Sequence, residues 1–490
     1  MSSGAPRNGQ LSRAALPHLP ASILRPAYDP AATRVGIVHL GPGAFHRAHQ
    51  AVYIDDLLAA HPDWAICGVS LHSTEVRDAL RAQDNLYTLA LLGAAGNLRV
   101  IGSLRELRAA REEQSAVLAR LADPAVRLVT LTVTEKGYCL KGEDLDFAHP
   151  EISHDIASPH APRSAIGHVV AGLAARHASG TAPYTVLSCD NLAGNGHRLR
   201  RATLQYAERT DPALARWIEA EVAFPCSMVD SITPATDEPL RERVTAALGC
   251  RDAWPIQRES YTQWVIEDRF CNARPPFEEA GVLLGHDIAG YDRAKLRLLN
   301  GAHSTLAWMG SLLQLETVGD AMNHPPLARF VERLMRESIL PVITLPAGFA
   351  GDPYIRTILG RFRNPAIRHL LSQICWDSSQ KLPVRLLGTI TEALAQGCDV
   401  APPCLAVAAW LQFVRRQARN GVALVDPLND VLTAIGRACT GEPAADVAAF
   451  LKLEAVFGEL AGNARFVAAL REAYAALGDG SPAAVERALG

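Results

Sequence analysis

The chain of 490 residues has no marked excess of either charge. Its 48 Lys and Arg against 51 Asp and Glu leave a net charge of −3. That balance supplies neither the basic face of a nucleic-acid binder nor the basic patch of a membrane-surface protein. There is no Cys-x-x-Cys pair and no cysteine–histidine cluster at zinc spacing. The ten cysteines are scattered from Cys67 to Cys439, mostly beside apolar residues. They read as buried, reduced thiols rather than a disulfide framework or metal knuckle. No uninterrupted apolar stretch approaches the roughly 18 residues of a membrane span. The opening "MSSGAPRNGQLSRAALPHLP" lacks the apolar centre of a signal peptide. Internal repeats and low-complexity tracts are also missing. These absences leave a cytoplasmic globular protein acting on a small molecule, as a monomer or small homo-oligomer, with no nucleic-acid or membrane partner. At 49% hydrophobic and 20% charged residues, the chain has globular composition and is too long for one ordinary core.

Residues 1–33, rich in Pro, Ala and Ser, read as an irregular lead-in. Val35–Leu40 is a short apolar run suited to a buried parallel strand. Gly41-Pro42-Gly43 interrupts it, and from Ala44 the apolar spacing becomes helical. Further strands are expected over 64–71, within 86–104, over 126–139 and over 182–192, with helices over 74–83 and after Ser164. Alternating strands and helices predict an α/β fold with a mostly parallel, doubly wound sheet. From about residue 286 helical spacing dominates: 293–315, 325–338, 365–375, 384–396, 403–418, 444–459 and 464–476. The expected organisation is a Rossmann-type NAD-binding domain over 34–285 and a helical substrate domain over 286–490.

A dinucleotide fold needs glycine where the chain turns tightly and where the backbone approaches the pyrophosphate, which then rests on a helix N-terminus. Gly41 and Gly43 supply these positions, with Ala44, Phe45, His46 and Arg47 opening the helix. The third glycine of G-x-G-x-x-G is missing, since His46 stands there. The acid that usually ends the second strand is missing too, because Gly68-Val69-Ser70-Leu71 occupies that place. Glu75 is the nearest carboxylate that could take the ribose hydroxyls, and there it would disfavour a 2′-phosphate and select NAD. It serves equally as an ordinary helix-N-terminal acid.

The stretch "YDRAKLRLLNGAHSTLAWMG" (291–310) is an apolar helix with polar interruptions. At about 100° per residue, with Lys295 as zero, Asp292 falls near 60°, His303 near 80° and Asn300 near 140°. All four share one face, and a face that is core elsewhere has a reason to be polar. Lys295 and His303 stand about 12 Å apart along an ideal axis, a gap that Lys length, side-chain tilt or a kink near Gly301 would shorten. Oxidising a secondary alcohol requires a base for the hydroxyl proton, which a lysine of lowered pKa provides. An amide and an imidazole can bond the developing oxyanion. Asp292 could relay the proton or be a simple helical partner of Lys295. No metal is needed.

These segments resemble the polyol-specific long-chain dehydrogenase family. The likeness covers roughly residues 35–475 through "HLGPGAFHRAHQAVY", "LTVTEKGYC", "VLSCDNLAGNGH", "FPCSMVDSITP", "WVIEDRF" and "KLRLLNGAHS". The resemblance implies a metal-independent NAD(P) oxidoreductase with Lys295 as acid/base and Asn300 and His303 as the oxyanion-stabilising pair. It also implies substrate contacts at Asn191, Asp230 and Lys381, and places the family's proton-relay carboxylate at Asp292. Two positions depart from the pattern: Ser231 follows Asp230 where Arg is usual, and Gln373 stands where mannitol dehydrogenases tend to have Arg. "TVTEKGYC", Gln373 and "SQKLPVRLL" look more like the members that reduce D-fructuronate to D-mannonate. A hexuronate carboxylate would need Arg or Lys, and Lys136 and Arg385 are the candidates. The alternative within the family is mannitol 2-dehydrogenase or arabinitol dehydrogenase. Outside it stand a non-catalytic NAD sensor, which would have no use for Lys295, and a helical interaction protein, which leaves the glycine turn unexplained.

Overall fold

The computed structural model describes residues 9–93 and 97–490. Residues 1–8 of the expected lead-in and 94–96 between two expected strands lie outside them. The chain divides into two compact units, Met1–Ala289 and Gly290–Gly490.

The first unit is built on a five-stranded sheet with spatial order Leu104–Ala109, Ala65–Ser70, Val35–Leu40, Leu128–Leu131 and Thr185–Ser188. Every pairing in it is parallel, as the alternation of strands and helices implies. Both faces are covered. Val38, Leu40, Val69, Leu131 and Val186 face one apolar cluster, and Ile37, Ile66, Leu104, Leu128 and Leu187 face the other. Continuous apolar runs are the consequence, since alternate residues are buried on opposite sides. The edge strand "LRELRA" (104–109) lacks this signature because its charges are used in place. Glu106 pairs with Arg108 at 2.9 Å and with Arg120 at 2.5 Å, and a charged edge strand resists pairing with another chain.

The expected strands within 86–104 do not join this sheet. Tyr87–Leu92 runs antiparallel to Leu98–Ile101 and parallel to Ile256–Glu259 in a separate three-stranded sheet. A third sheet holds Ser227–Asp230, Gln263–Glu267 and Leu283–Gly285. The expected helix over 74–83 forms as Glu75–Arg81.

The second unit is helical. Its core surrounds the helices Gly301–Leu312 and Ala401–Arg419, where Trp308 and Trp410 lie 6.4 Å apart between ring centres. Buried Trp410 donates its indole N–H to the Ser378 hydroxyl at 2.9 Å, so its one polar atom is satisfied. The expected helix over 365–375 shrinks to Leu371–Ile374. Helices at Gly351–Phe362 and Asn429–Ala438 appear where none is expected. The first of them carries Pro353 in its opening turn, where proline is tolerated because the N–H it lacks would have no intrahelical acceptor. Three segments are π-helical: Lys295–Asn300, Leu334–Ile339 and Pro383–Leu387.

Candidate active site

In the first unit the strand order reverses between Val35–Leu40 and Leu128–Leu131. Open parallel sheets bind ligands beyond the carboxyl ends of the strands at such a switch point. The two chain ends there are Gly41 and Thr132. Gly41 has φ +91, and a Cβ on it would stand 2.3 Å from the Thr132 carbonyl oxygen. Only glycine fits that turn. Gly43 is the opposite case: a Cβ would meet nothing closer than the Gly41 oxygen at 3.9 Å. Its backbone borders open space, which suits close approach of a phosphate.

The helix Ala44–Ala48 opens after Gly43. His46 takes the place of the missing glycine by packing rather than by leaving room. Its ring lies flat on that of His39, centroids 3.4 Å apart at 14°, and both residues are buried. Arg47, expected at the cofactor, is buried. Its guanidinium turns inward, donates to the Trp254 carbonyl at 2.9 Å, and lies 5.5 Å over Tyr87 and 5.3 Å over Trp254. Sequence spacing around an incomplete glycine motif cannot show which way the helix faces. Ala44 and Phe45 are half-buried, and Glu75 opens its helix as an exposed carboxylate.

Lys136 is exposed in the short turn Glu135–Tyr138. Asn191 is exposed beside Asp190, and Asp230 is buried at the end of its strand. Ser231, the departure after Asp230, donates its hydroxyl to the Tyr261 carbonyl at 3.0 Å. Asp190 itself was missed by the sequence reading. It accepts from the backbone N–H of Val133 at 3.0 Å and Thr134 at 2.8 Å, and from the Tyr138 hydroxyl at 2.7 Å. One carboxylate thereby fixes the loop leaving the strand Leu128–Leu131. Burial pushes its pKa upward against these bonds.

Among the described residues one group could hold a metal ion by proximity: Cys139, His149 and Glu151, with ligand atoms within 4.8 Å of one another. His149 already caps the helix Pro150–Ala157, accepting the Glu151 N–H on Nδ1 at 3.3 Å.

In the second unit, the helix Ile288–Ala294 runs through the π-turn Lys295–Asn300 into Gly301–Leu312. The uniform helical wheel therefore fails between Lys295 and Asn300, where i→i+5 bonding widens the turn. Gly301 is no kink, with ordinary helical φ −64 and ψ −48. What it provides is closeness: a Cβ there would come to 3.0 Å of the Arg385 carbonyl oxygen. Arg385 lies in a second π-turn, Pro383–Leu387, and the two turns exchange arginines. Arg297 of the first donates to the Thr389 hydroxyl at 2.9 Å and pairs with Glu392 at 3.4 Å. Arg385 of the second donates to the Ser304 hydroxyl at 2.8 Å.

Lys295 is only 7% exposed, and Asp292 and Asn300 are half-buried. The His303 ring stacks on Phe362 at 5.2 Å and meets His369 edge-on at 4.7 Å. Its Nε2 is enclosed and, among the described residues, has no hydrogen-bond partner. Burial, then the neighbouring His369, Arg385, Arg361 and Lys381, hold this imidazole well below its usual range. It is neutral near pH 7, able to donate or accept a hydrogen bond without adding a charge. Burial also brings the Arg385 guanidinium down to about 10 and lowers Lys381, whose ammonium donates to the Trp376 carbonyl. Gln373 is exposed. The sequence reading missed His369, Phe362, Arg361 and Ser304. All four lie outside the Lys-x4-Asn-x2-His stretch, Ser304 by one residue, and Arg361 and Phe362 end a helix that its Gly and Pro concealed.

This arrangement offers a buried amine, an amide and a neutral imidazole on one continuous helical run, with cations gathered around the imidazole. It can move a proton and stabilise an oxyanion. Comparison with known proteins gives the same division of the chain. The mannitol dehydrogenase Rossmann domain matches residues 35–279, and the mannitol dehydrogenase C-terminal domain matches 287–478. Mannitol 2-dehydrogenase of Aspergillus fumigatus is 39% identical over 463 residues, 91% of each chain. D-mannonate oxidoreductase of Escherichia coli is 39% identical over 463 residues, 92% of this chain and 95% of that protein. The solved structure of Pseudomonas fluorescens mannitol 2-dehydrogenase, a ternary complex with NAD and D-mannitol, superposes with a TM-score of 0.82 at 36% identity, covering 97% and 98% of the two chains. From its glycine turn to its C-terminal helices, the chain belongs to the mannitol dehydrogenase family of oxidoreductases.

Proposed function

We propose that the protein is an NAD-dependent reductase of D-fructuronate to D-mannonate, working reversibly at a secondary alcohol without a metal. Lys295 is the acid/base, Asn300 and His303 bond the substrate oxygen, and Asp292 passes the proton toward solvent. NAD is favoured by the Gly41–Gly43 turn, by the exposed Glu75 carboxylate, which would repel a 2′-phosphate, and by the NAD-bound Pseudomonas relative. The nicotinamide would carry the hydride, given by NADH in the reduction and taken up by NAD in the reverse oxidation; everything else is side-chain chemistry.

The observation that carries the choice of a sugar acid is Arg385. Among the described residues its guanidinium has a hydroxyl partner, Ser304 at 2.8 Å, and no carboxylate ion pair. With Lys381 and Arg361 it bears on His303. A half-buried guanidinium without a carboxylate is a costly thing to keep, and a substrate carboxylate would complete it in bidentate fashion. Mannitol 2-dehydrogenase activity is the second reading, favoured by the equal 39% identity to the Aspergillus enzyme.

A single panel decides between them: mannonate, mannitol, arabinitol and sorbitol with NAD and NADP, followed at the nicotinamide absorbance. Mannonate with NAD is expected to give the highest kcat/KM. Arg385→Met is expected to raise the mannonate KM roughly 30-fold or more, the cost of truncating one partner of a buried charge pair. Efficient turnover of mannitol with none of mannonate would overturn the sugar-acid reading. Equal efficiency with NADP would remove Glu75 from cofactor choice.

A further inference from the structure

His39 is the penultimate residue of the central strand, fully buried, where its neighbours Val38 and Leu40 are apolar. Both its ring nitrogens are bonded. Nδ1 meets the Thr130 hydroxyl at 2.7 Å, and Nε2 meets the Thr132 hydroxyl at 2.8 Å and the Gly41 carbonyl at 3.2 Å. The Thr132 hydroxyl donates to that same Gly41 carbonyl at 2.8 Å. These contacts assign the protons. Having given its one proton to Gly41, Thr132 must accept from His39 Nε2–H. That tautomer leaves Nδ1 to accept from Thr130. The chain Thr130–His39–Thr132–Gly41 therefore runs one way and needs a neutral ring. Burial, which pushes the His39 pKa down to about 3, keeps the ring neutral.

The end point is the turn itself. The Gly41 oxygen also accepts the Gly43 N–H at 2.7 Å, and the Gly41 N–H donates to Val69 at 2.9 Å. Both sides of this residue, strained to φ +91, are thus tied down. The stacked His46 closes the other face of the His39 ring. A plain core residue at position 39 would fill the same space and hold none of this.

We propose that His39, acting through Thr132, is a positioning residue for the dinucleotide, holding the Gly41 carbonyl inward so that the Gly43–Phe45 backbone stays shaped to receive the pyrophosphate. The inference rests on the NAD reading above and adds to it a buried relay that touches no cofactor atom.

The test compares Thr132→Val, which keeps the shape and removes the hydroxyl, with Thr132→Ser, which restores it. NADH affinity is read by fluorescence titration, alongside kcat at saturating NADH and the sugar KM. Thr132→Val is expected to weaken NADH about tenfold, the worth of one hydrogen bond of about 1.4 kcal/mol. The kcat and sugar KM should stay within about twofold, and Thr132→Ser should bind as wild type. His39→Asn should weaken NADH in the same sense; if that variant fails to fold, the Thr132 pair still gives the answer. Wild-type NADH affinity in Thr132→Val, or a loss shared equally by the sugar KM, would overturn the relay. A wild-type protein that binds no NADH would instead overturn the cofactor reading on which it stands.

Discussion

Lys295→Ala is expected to lower kcat by about 10²–10⁴-fold, the range for loss of a positioned acid/base, while NADH still binds. The lysine is 7% exposed and begins the π-turn that leads to Asn300. On the proposed mechanism, removing it takes away the group that would accept the alcohol proton as hydride leaves, and the rest of the helix can keep its packing. With the cofactor proposed at the glycine turn of the first unit, a fluorescence titration with NADH should report little change. Lys295→Arg should not rescue the rate: a guanidinium does not release its proton in any accessible pH range. Turnover is followed at the nicotinamide absorbance. Unchanged turnover in Lys295→Ala would remove this residue from the mechanism. It would also reopen the reading of the chain as a cofactor sensor.

The largest single effect on stability is expected at Arg176. This residue is fully buried near the end of the helix Ala165–Ser179. Its guanidinium donates to four backbone carbonyls: Leu121 at 2.9 Å, Ala182 at 2.8 Å, Asp123 at 2.5 Å and Val126 at 2.6 Å. It also lies 4.6 Å over the Tyr184 ring. One side chain thus satisfies the loop that leads into the strand Leu128–Leu131 and the one that leads into Thr185–Ser188. Arg176→Met would leave these acceptors buried without donors, each costing about 1–3 kcal/mol where no water replaces the bond. Relaxation makes the sum smaller than four full penalties, and about 3–5 kcal/mol is expected. Thermal unfolding of the first unit should fall by on the order of 10 °C. Arg176→Lys should recover less than half, because one ammonium cannot reproduce a planar fork aimed at four oxygens. A loss below about 1 kcal/mol would show that water or other donors reach these carbonyls.

How much of this could be read from the sequence follows from how local each feature is. Val35–Leu40 is legible because burial on both faces makes a continuous apolar run. The edge strand Leu104–Ala109 is not, since its charges find partners in the following helix and the apolar signal is diluted. The strands near Tyr87 are legible as strands but not as members of a second sheet, because pairing is decided by distant Ile256–Glu259. Lys295, Asn300 and His303 are legible as polar groups on one helix, but the uniform wheel that groups them on one face does not hold across the π-turn. The cations around His303 are not legible, as Arg361, Lys381 and Arg385 come from other helices. Arg47 shows what spacing leaves open. Its position beside the glycine turn suggested the cofactor, yet its side chain points into the core, a direction that no spacing rule encodes.

The paired π-turns carry a further consequence, for how this helix tolerates change in length. Each wide turn holds a residue that a regular α-helix of the same rise would not contain. Deleting one residue between Lys295 and Asn300 would let the segment relax into ordinary α-helix with its backbone bonds intact. Because the wide turn and the α-turn that replaces it span nearly the same rise and rotation, Lys295 would keep roughly its place relative to Asn300 and His303. The side chains within the turn would be re-aimed instead, and Arg297 would lose its direction toward Thr389 and Glu392. One residue lost from the regular helix between Gly301 and His303 would, by contrast, turn and shift the two sides by about 100° and 1.5 Å, so tolerance of a change in length is confined to the wide turn.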